Sequence, residues 1–367
     1  MCKRGIWALW LNRYHIGFGV DDLMKNKGKL AAGGGILIFI LLLVLIIWYQ
    51  GKEENLEPIS RTDYMLNTVV NVKIYDKREE ALLDGAMEIC RKYEDLFSPT
   101  LNSSEIYSLN HGELKETDGF YTLSPDTADL ISKALNYCRL SEGAFDISIE
   151  PVSSLWDFTS GQGLVPDEAS IQTALPLVNY KNIVLEGEKI RFQQEGMGIN
   201  LGAIAKGYIA DKMKEYLQSQ GVESAIIDLG GNILCLGGRP DGTPFSIGIR
   251  KPFGETSETA AIMEISDKSV VSSGIYERYF EKDGILYHHI LDPDTGYPYE
   301  NNLVSVTIIS DKSVDGDGLS TTCFALGLEK GMDLINSLPQ VQAVFITKDY
   351  EMHYSENFRQ EISLKEQ

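Results

Sequence analysis

A chain of 367 residues, 43% apolar and with a formal charge of −20, is long enough for one large domain or two ordinary ones around a full hydrophobic core, which excludes a disordered chain. The acidity excludes a nucleic-acid surface, because phosphate recognition needs a basic patch and the body of the chain has none. Cys2, Cys90, Cys138, Cys235 and Cys323 show no CxxC or CxxH spacing and lie in apolar text such as NILCLGG and TTCFALG, so they read as small core residues and not as a metal site.

The run AAGGGILIFILLLVLIIWY at 31–49 carries no charge. As a helix it would extend roughly 28 Å, enough for the hydrocarbon core of a bilayer. It is apolar on every face and ends in Trp48 and Tyr49, where an aromatic belt belongs. Lys3, Arg4, Arg13, Lys25, Lys27 and Lys29 precede it and the acidic Gly51–Pro58 follows, so the positive-inside rule places the rest of the chain outside. The chain thus divides into a cytoplasmic basic leader (1–30), a single-pass cell-membrane anchor (31–50), a polar stalk (51–61) and an extracytoplasmic domain (62–367). No small-x-small site follows the run, so it reads as a retained anchor and not as a cleaved signal peptide.

In chain order, MLNTVVNVKIYD (Met65–Asp76) alternates as a strand, and Arg78–Phe97 has helical apolar spacing. SPTLNSSEIYSLN reads as a loop. A helix spans Thr127–Leu140, with Ser124, Asp126 and Thr127 all able to cap it. GAFDISIEPVSSLWDF is an apolar stretch interrupted by Asp146 and Glu150, and Tyr180–Phe192 forms two short strands turning at Glu186–Glu188. GINLGAIAKGYIADKMKEYL (Gly198–Leu217) opens from a Gly-rich loop into an amphipathic helix. Two readings are open there: a phosphate cradle with Lys206 in its first turn, or a small-residue helix packed on a sheet with Lys206 in solvent. AIIDLGGNILCLGG (Ala225–Gly238) reads as a buried strand ended by glycine pairs, with FSIGIRKP and TAAIMEI as further strands.

SSGIYERYFEKDGILYHHILDPDTGYP (Ser272–Pro298) joins a small-residue turn, a Tyr-rich strand, two imidazoles and an acidic turn. That turn either holds a ligand or caps its own backbone. A strand to Ser310 and an acidic loop lead to a helix from about Asp317. Asp317 and Thr321, four apart, share one helical face, and such oxygen donors suit a hard cation such as Mg²⁺; the alternative is an N-cap Asp with a packed Thr. AVFITKDYEMHY closes as a hairpin with His353 exposed. Strands arriving in hairpin-like groups predict a mixed α+β fold with largely antiparallel sheets and flanking helices, while the alternation around Gly198 leaves an α/β arrangement open.

INLGAIAKGYIAD, IIDLGGN, SSGIYERYF, HHILDPDTGYP and DGDGLSTTCFALG, in this order, closely resemble the ApbE family of FAD:protein FMN transferases. MLNTVVNVKIYD, SSEIYSLN and GAFDISIEP extend the likeness from about Asp63 to the C-terminus. The resemblance implies an extracytoplasmic enzyme of ApbE-like fold that uses Mg²⁺ to split FAD, attaches FMN through a phosphoester to a Thr or Ser of an exported or membrane flavoprotein, and releases AMP. By position it implies the Ala203 carbonyl, the Asp317 carboxylate and the Thr321 hydroxyl as metal ligands. It implies FAD contacts at Met65, Thr100, Ala144, Phe145, Asp146, Asn200, Lys206 and Leu291, Thr100 falling where the family varies.

For catalysis, Lys206 and the cation stabilise charge on the splitting pyrophosphate. His289 is the best-placed base for the acceptor hydroxyl, followed by Asp292. Tyr276 and Tyr279 either line the isoalloxazine or belong to the core. The chain departs from the family pattern at Leu66–Asn67, at Gly316 and Gly318 around Asp317, and at Asn200, where relatives carry Asp. A metal-dependent FAD pyrophosphatase, with water in place of the acceptor, and a non-catalytic membrane-anchored flavin-binding protein are the competing functions.

Overall fold

The computed structural model describes residues 57–365, apart from 160, 256 and 257. The basic leader, the apolar run at 31–50, Cys2 and most of the expected stalk lie outside the described residues. Among the described residues no helix is long and apolar enough to cross a membrane.

β1 (Ile59–Met65) and β2 (Thr68–Ile74) form a hairpin. Leu66 and Asn67 join them at φ 55° and 54°, the left-handed pair that a two-residue hairpin turn requires. The strand expected over Met65–Asp76 is therefore two, and β1 takes in Ile59–Arg61 from the stretch read as stalk. α1 (Glu80–Phe97) buries Leu83, Met87, Cys90 and Phe97 at helical spacing. α2 (Glu105–Asn110) stands where a loop is expected. Ser104 Oγ starts it by accepting from Tyr107 N at 3.0 Å, and a helix of 6 residues is too short for apolar periodicity to reveal.

β3 (Glu116–Thr117) and β4 (Phe120–Thr122) precede α3 (Pro125–Leu140), for which Ser124, of the three candidates, is the cap. A 3-10 turn at Ile147–Ile149, the single turn α4 (Glu150–Ser153) and α5 (Glu168–Ala174) follow. β5 (Ile183–Glu186) and β6 (Lys189–Phe192) are the expected strand pair, and α6 (Ala205–Ser219) the expected helix after the Gly-rich loop. β7 (Ala225–Leu229) and β8 (Asn232–Leu236) form a hairpin where one strand is expected. Gly230 and Gly231 turn it at φ 66° and 92°, and a Cβ on Gly230 would meet Thr68 Oγ1 at 2.0 Å.

β9 (Phe245–Arg250), β10 (Thr259–Ile265) and β11 (Ser269–Gly274) come next, and the last takes the SSG expected in a turn into a strand. β12 (Tyr279–Lys282), β13 (Ile285–His288) and β14 (Leu303–Ser310) lead to α7 (Ser313–Asn336). α7 begins ahead of the expected Asp317 because a side chain from α6 caps it: Asp211 accepts from Ser313 N at 2.8 Å and from Val314 N at 3.0 Å. Gly316, Asp317 and Gly318 thus lie within the helix, which breaks at Gly327 (φ 78°, ψ 179°). The expected hairpin of β15 (Gln342–Thr347) and β16 (Met352–Tyr354) forms, followed by α8 (Phe358–Glu361) and β17 (Ser363–Leu364).

The largest sheet has the order β1-β2-β7-β8-β11-β14-β15-β16, and every strand pairing among the described residues is antiparallel. The fold is α+β, and the α/β arrangement does not form. α1 packs on β1 and β2, α6 on β7 and β8, and α7 on β11, β14 and β15. Against other residues of the large sheet, Cys235, Val270, Ile309 and Val344 among them, packs the small sheet β17-β10-β9 through Phe245, Ile247 and Met263. β14 is covered on both sides, which is why all eight of its residues are buried. Cys90, Cys138, Cys235 and Cys323 are buried and free.

α6 and α7 touch at Gly207, where a Cβ would lie 2.2 Å from Ser313 O and 2.8 Å from Asp317 Cβ. Gly207→Ala is expected to lower stability by roughly 2–3 kcal/mol, because two helix backbones must separate to admit it. Gly187→Ala, at a position with open space around it and φ 62°, is expected to cost only about 1 kcal/mol. Urea unfolding of the two variants checks the difference; equal losses would contradict the close contact.

Candidate active site

Four segments converge on the start of α6. The Gly-rich loop enters the helix through Leu201 O, which accepts from Ile204 N at 3.0 Å and Ala205 N at 2.8 Å. The missing side chain of Gly207 lets Asp317 of α7 come against this first turn, and Asp317 Oδ2 accepts from Gly207 N at 2.8 Å. Asp317 is 4% exposed. Burial raises its carboxyl, opposed by the Lys206 charge, the N–H groups of Gly207 and Lys206, and the Asn232 amide. Asn232 Oδ1 is fixed by Ser313 Oγ at 2.6 Å, itself held by Ser269 Oγ at 2.9 Å. One turn beyond Asp317, Thr321 Oγ1 lies 3.1 Å from Ser273 Oγ on β11.

Lys206 is half-buried in the first turn of α6, and its charge reaches three carboxylates. Asp228 on β7 is raised by burial and lowered by Gly231 N–H and Lys206. Glu277 keeps contact with solvent, yet the surrounding protein displaces enough water to raise its carboxyl, with Lys206, Arg278 and Arg250 opposing. Asp317 is the third. Lys206 is therefore half-buried and within electrostatic reach of these three carboxylates, with Arg278 and Arg250 nearby at Glu277. Asp228 and Glu277 are functional candidates that sequence reasoning passes over; their signal is a carboxylate beside a Gly pair and one within YER.

His289 follows β13, and both its N–H and its Nδ1 meet Arg278 O, at 3.1 and 3.3 Å. With Nδ1–H donating there, Nε2 keeps its lone pair. Burial, with the charges of Arg278, His288 and Lys206, pushes His289 down to about 3, so it is neutral at pH 7. His288 is different: Nε2 faces Tyr299 O at 3.2 Å and Nδ1 accepts from Ile290 N at 3.3 Å. Both its nitrogens are occupied, and burial pushes it down to about 4.

The acidic turn caps itself. Asp292 Oδ1 accepts from Asp294 N at 2.9 Å, Thr295 Oγ1 accepts from Tyr297 N at 3.3 Å, and Gly296 N donates to Asp292 O at 2.8 Å. The self-capping of the second sequence reading is thus present, and it engages one oxygen of the Asp292 carboxylate. Trp156 Nε1 donates to Gly296 O at 3.0 Å, tying the turn to an aromatic cluster of Trp156, Phe158, Phe280, Tyr287 and Tyr297.

Of the expected flavin contacts, Asn200 and Lys206 lie on the Gly-rich loop and its helix. Met65, Phe145 and Leu291 are core side chains, and the Phe145 backbone is engaged by Ser141 Oγ, which accepts from Phe145 N at 2.9 Å. Met65 ends at the β1–β2 turn, whose Asn67 O accepts from Arg278 Nη2 at 3.3 Å. Ala144 O accepts from the Tyr299 hydroxyl at 2.8 Å. Asp146 caps Ser148 N at 2.7 Å and accepts from Tyr180 N at 2.9 Å, which commits both its oxygens. Thr100 is exposed beyond α1, with its hydroxyl 3.3 Å from Ser98 Oγ, and no contact brings it to the cluster. Tyr276 is buried and Tyr279 is 41% exposed. Among the described residues no group of three or more His, Cys, Asp or Glu is arranged to hold a metal. The expected set has one carboxylate, one carbonyl and one hydroxyl, all hard oxygen donors of the kind Mg²⁺ takes.

The ApbE family model matches residues 66–345. An FAD:protein FMN transferase of Klebsiella pneumoniae is 38% identical over 287 residues, 78% of this chain and 88% of that protein. One from Treponema pallidum is 33% identical over 318 residues, 82% of this chain and 87% of its own. The solved flavin transferase ApbE from Vibrio cholerae superposes with a TM-score of 0.74 at 27% identity, covering 83% of this chain and 99% of that one. The ApbE protein from Thermotoga maritima gives a TM-score of 0.75 at 28% identity, with the same coverage of each chain.

The depressed His288 has a consequence for stability. In the unfolded chain it takes a proton below about 6.5, whereas folded it stays neutral down to about 4. Its share of stability is present above 6.5 and lost as pH falls toward 4, up to about 3 kcal/mol. His288→Gln is therefore expected to flatten the fall in unfolding free energy between pH 6.5 and 4 in urea titrations; parallel slopes would contradict the assignment.

Proposed function

The chain belongs to the ApbE family, it moves FMN from FAD to a protein, and on that premise we propose how its residues divide the work. The observation that carries the division is the Asp317 carboxylate held against the first turn of α6 beside Lys206, with the neutral His289 in the same electrostatic neighbourhood.

The Lys206 ammonium in the first turn of α6 binds the pyrophosphate of FAD. The Ala203 carbonyl, the Asp317 carboxylate and the Thr321 hydroxyl would hold Mg²⁺, which when bound supplies positive charge to the phosphate oxygens. Two features support that fit: the donor set is all oxygen, and Gly207 leaves the space in which Asp317 sits. His289 Nε2 takes the proton of a Thr or Ser hydroxyl on the acceptor, whose oxygen attacks the FMN phosphorus while the bond to the AMP phosphate breaks. The approaching phosphate charge raises the imidazole toward a working range. The products are a phosphoester-linked FMN and AMP.

The uncharged run at 31–50, basic residues before it and acidic ones after it support a single-pass anchor with this domain outside the cytoplasm. The acceptor is accordingly an exported or membrane flavoprotein.

The test is intact-protein mass after incubating residues 57–367 with FAD, Mg²⁺ and an exported flavoprotein domain. The acceptor is expected to gain one FMN, and to gain none with EDTA or with Asp317→Ala. Free FMN with an unlabelled acceptor would instead mean hydrolysis, and intact FAD would mean binding without catalysis. His289→Gln is expected to lower kcat by about 10²-fold or more while the Kd for FAD stays within about threefold. A loss of FAD binding in that variant would make His289 a ligand contact instead of a base.

A further inference from the structure

The Gly-rich loop is held in place by Asn110, Glu150 and Ser153, to which the transfer chemistry gives no role, and by the carboxamide of Asn200, an expected FAD contact. Asn110 of α2 donates to Ile199 O at 2.9 Å and accepts from Ile199 N at 2.7 Å. Asn200 donates from Nδ2 to Glu150 Oε2 at 2.7 Å and to Ser153 Oγ at 3.2 Å, while its Oδ1 accepts from Gly202 N at 2.9 Å. Ser153 Oγ also bonds Glu150 Oε2 at 3.0 Å. Gly198 makes the approach possible, since a Cβ there would lie 3.3 Å from Glu150 Cβ.

The polarity of this clasp allows one orientation. If the Asn200 carboxamide turned over, Oδ1 would face the Glu150 carboxylate and Nδ2 would face the Gly202 N–H, two repulsions in place of two bonds. An aspartate at position 200 would still serve Gly202 but would set a second carboxylate at hydrogen-bond distance from Glu150. Asn200 and Glu150 are thus matched to each other.

We propose that Glu150 is a positioning residue: through the Asn200 carboxamide it fixes the loop at 198–206 from which Ala203 and Lys206 present their groups to the FAD pyrophosphate. What the loop binds rests on the flavin-transfer reading above; the clasp does not. The Glu150 carboxyl is raised by burial and lowered by Asn200, Ser153 and His111. Besides its partners on α4 and the loop, His111 after α2 is the ionisable group that faces it.

The experiment uses the full-length chain, with two readouts at pH 8 and pH 5.5: amide hydrogen exchange over 198–206 without ligand, and the Kd for FAD from flavin fluorescence. At pH 8, Asn200→Asp is expected to speed that exchange at least about fivefold and to weaken FAD binding about tenfold, with partial recovery at pH 5.5 as one carboxyl takes a proton. Adding Glu150→Gln to Asn200→Asp is expected to restore both to within about threefold, because a carboxamide at 150 then donates to the carboxylate at 200. Circular dichroism confirms that each variant is folded. Should Asn200→Asp fail to fold, Glu150→Ala, which removes the acceptor alone, is expected to raise exchange and Kd at least about threefold. Unchanged exchange in Asn200→Asp, or no rescue by Glu150→Gln, would overturn the role of Glu150. The predicted exchange pattern in a chain that does not bind FAD would uphold the clasp and overturn the flavin reading instead.

Discussion

The site depends on how closely α6 and α7 approach at Gly207. The absent Cβ brings Ser313 and Asp317 onto the first turn of α6, where unpaired N–H groups and the positive end of the helix dipole meet the carboxylate. The contact is reciprocal: Asp317 of α7 caps α6, and Asp211 of α6 caps α7. Each helix supplies the anion that the other's N-terminus needs. Burial raises both carboxyls, Asp211 to about 6, a cost offset by the backbone donors they accept.

Around this junction carboxylates and cations meet. Lys206 acts on Asp228, Glu277 and Asp317, and Arg278 and Arg250 also act on Glu277. His289 has its Nδ1 tied to Arg278 O, and burial with the charges of Arg278, His288 and Lys206 keeps its imidazole neutral.

Much of this was legible in the sequence, and the reasons for the exceptions are physical. Long periodic segments such as α1, α3 and β14 can be read directly, as can the pairing of Asp317 with Thr321, because helical spacing is local information. The motifs in register carry the family. The hairpins at Leu66–Asn67 and Gly230–Gly231 read as single strands because a two-residue turn barely interrupts alternation, and Leu66 is an unusual residue for φ 55°. The early start of α7 depends on Asp211, 102 residues away from Ser313, and no local pattern encodes a cap supplied from another helix. Asp292, the second-ranked base, also caps its own turn through Oδ1, a contact that only the folded turn reveals. The match of Glu150 to Asn200 spans 50 residues and is visible only once the loop is folded.

The most direct measurement is a crystal structure of residues 57–367 with FAD and Mn²⁺ in place of Mg²⁺, the ion located by its anomalous signal. The account predicts an ion bonded to the Ala203 carbonyl, the Asp317 carboxylate and the Thr321 hydroxyl, with the pyrophosphate against Lys206 at the start of α6. An ion held by other oxygens, or a pyrophosphate bound away from α6, would contradict it.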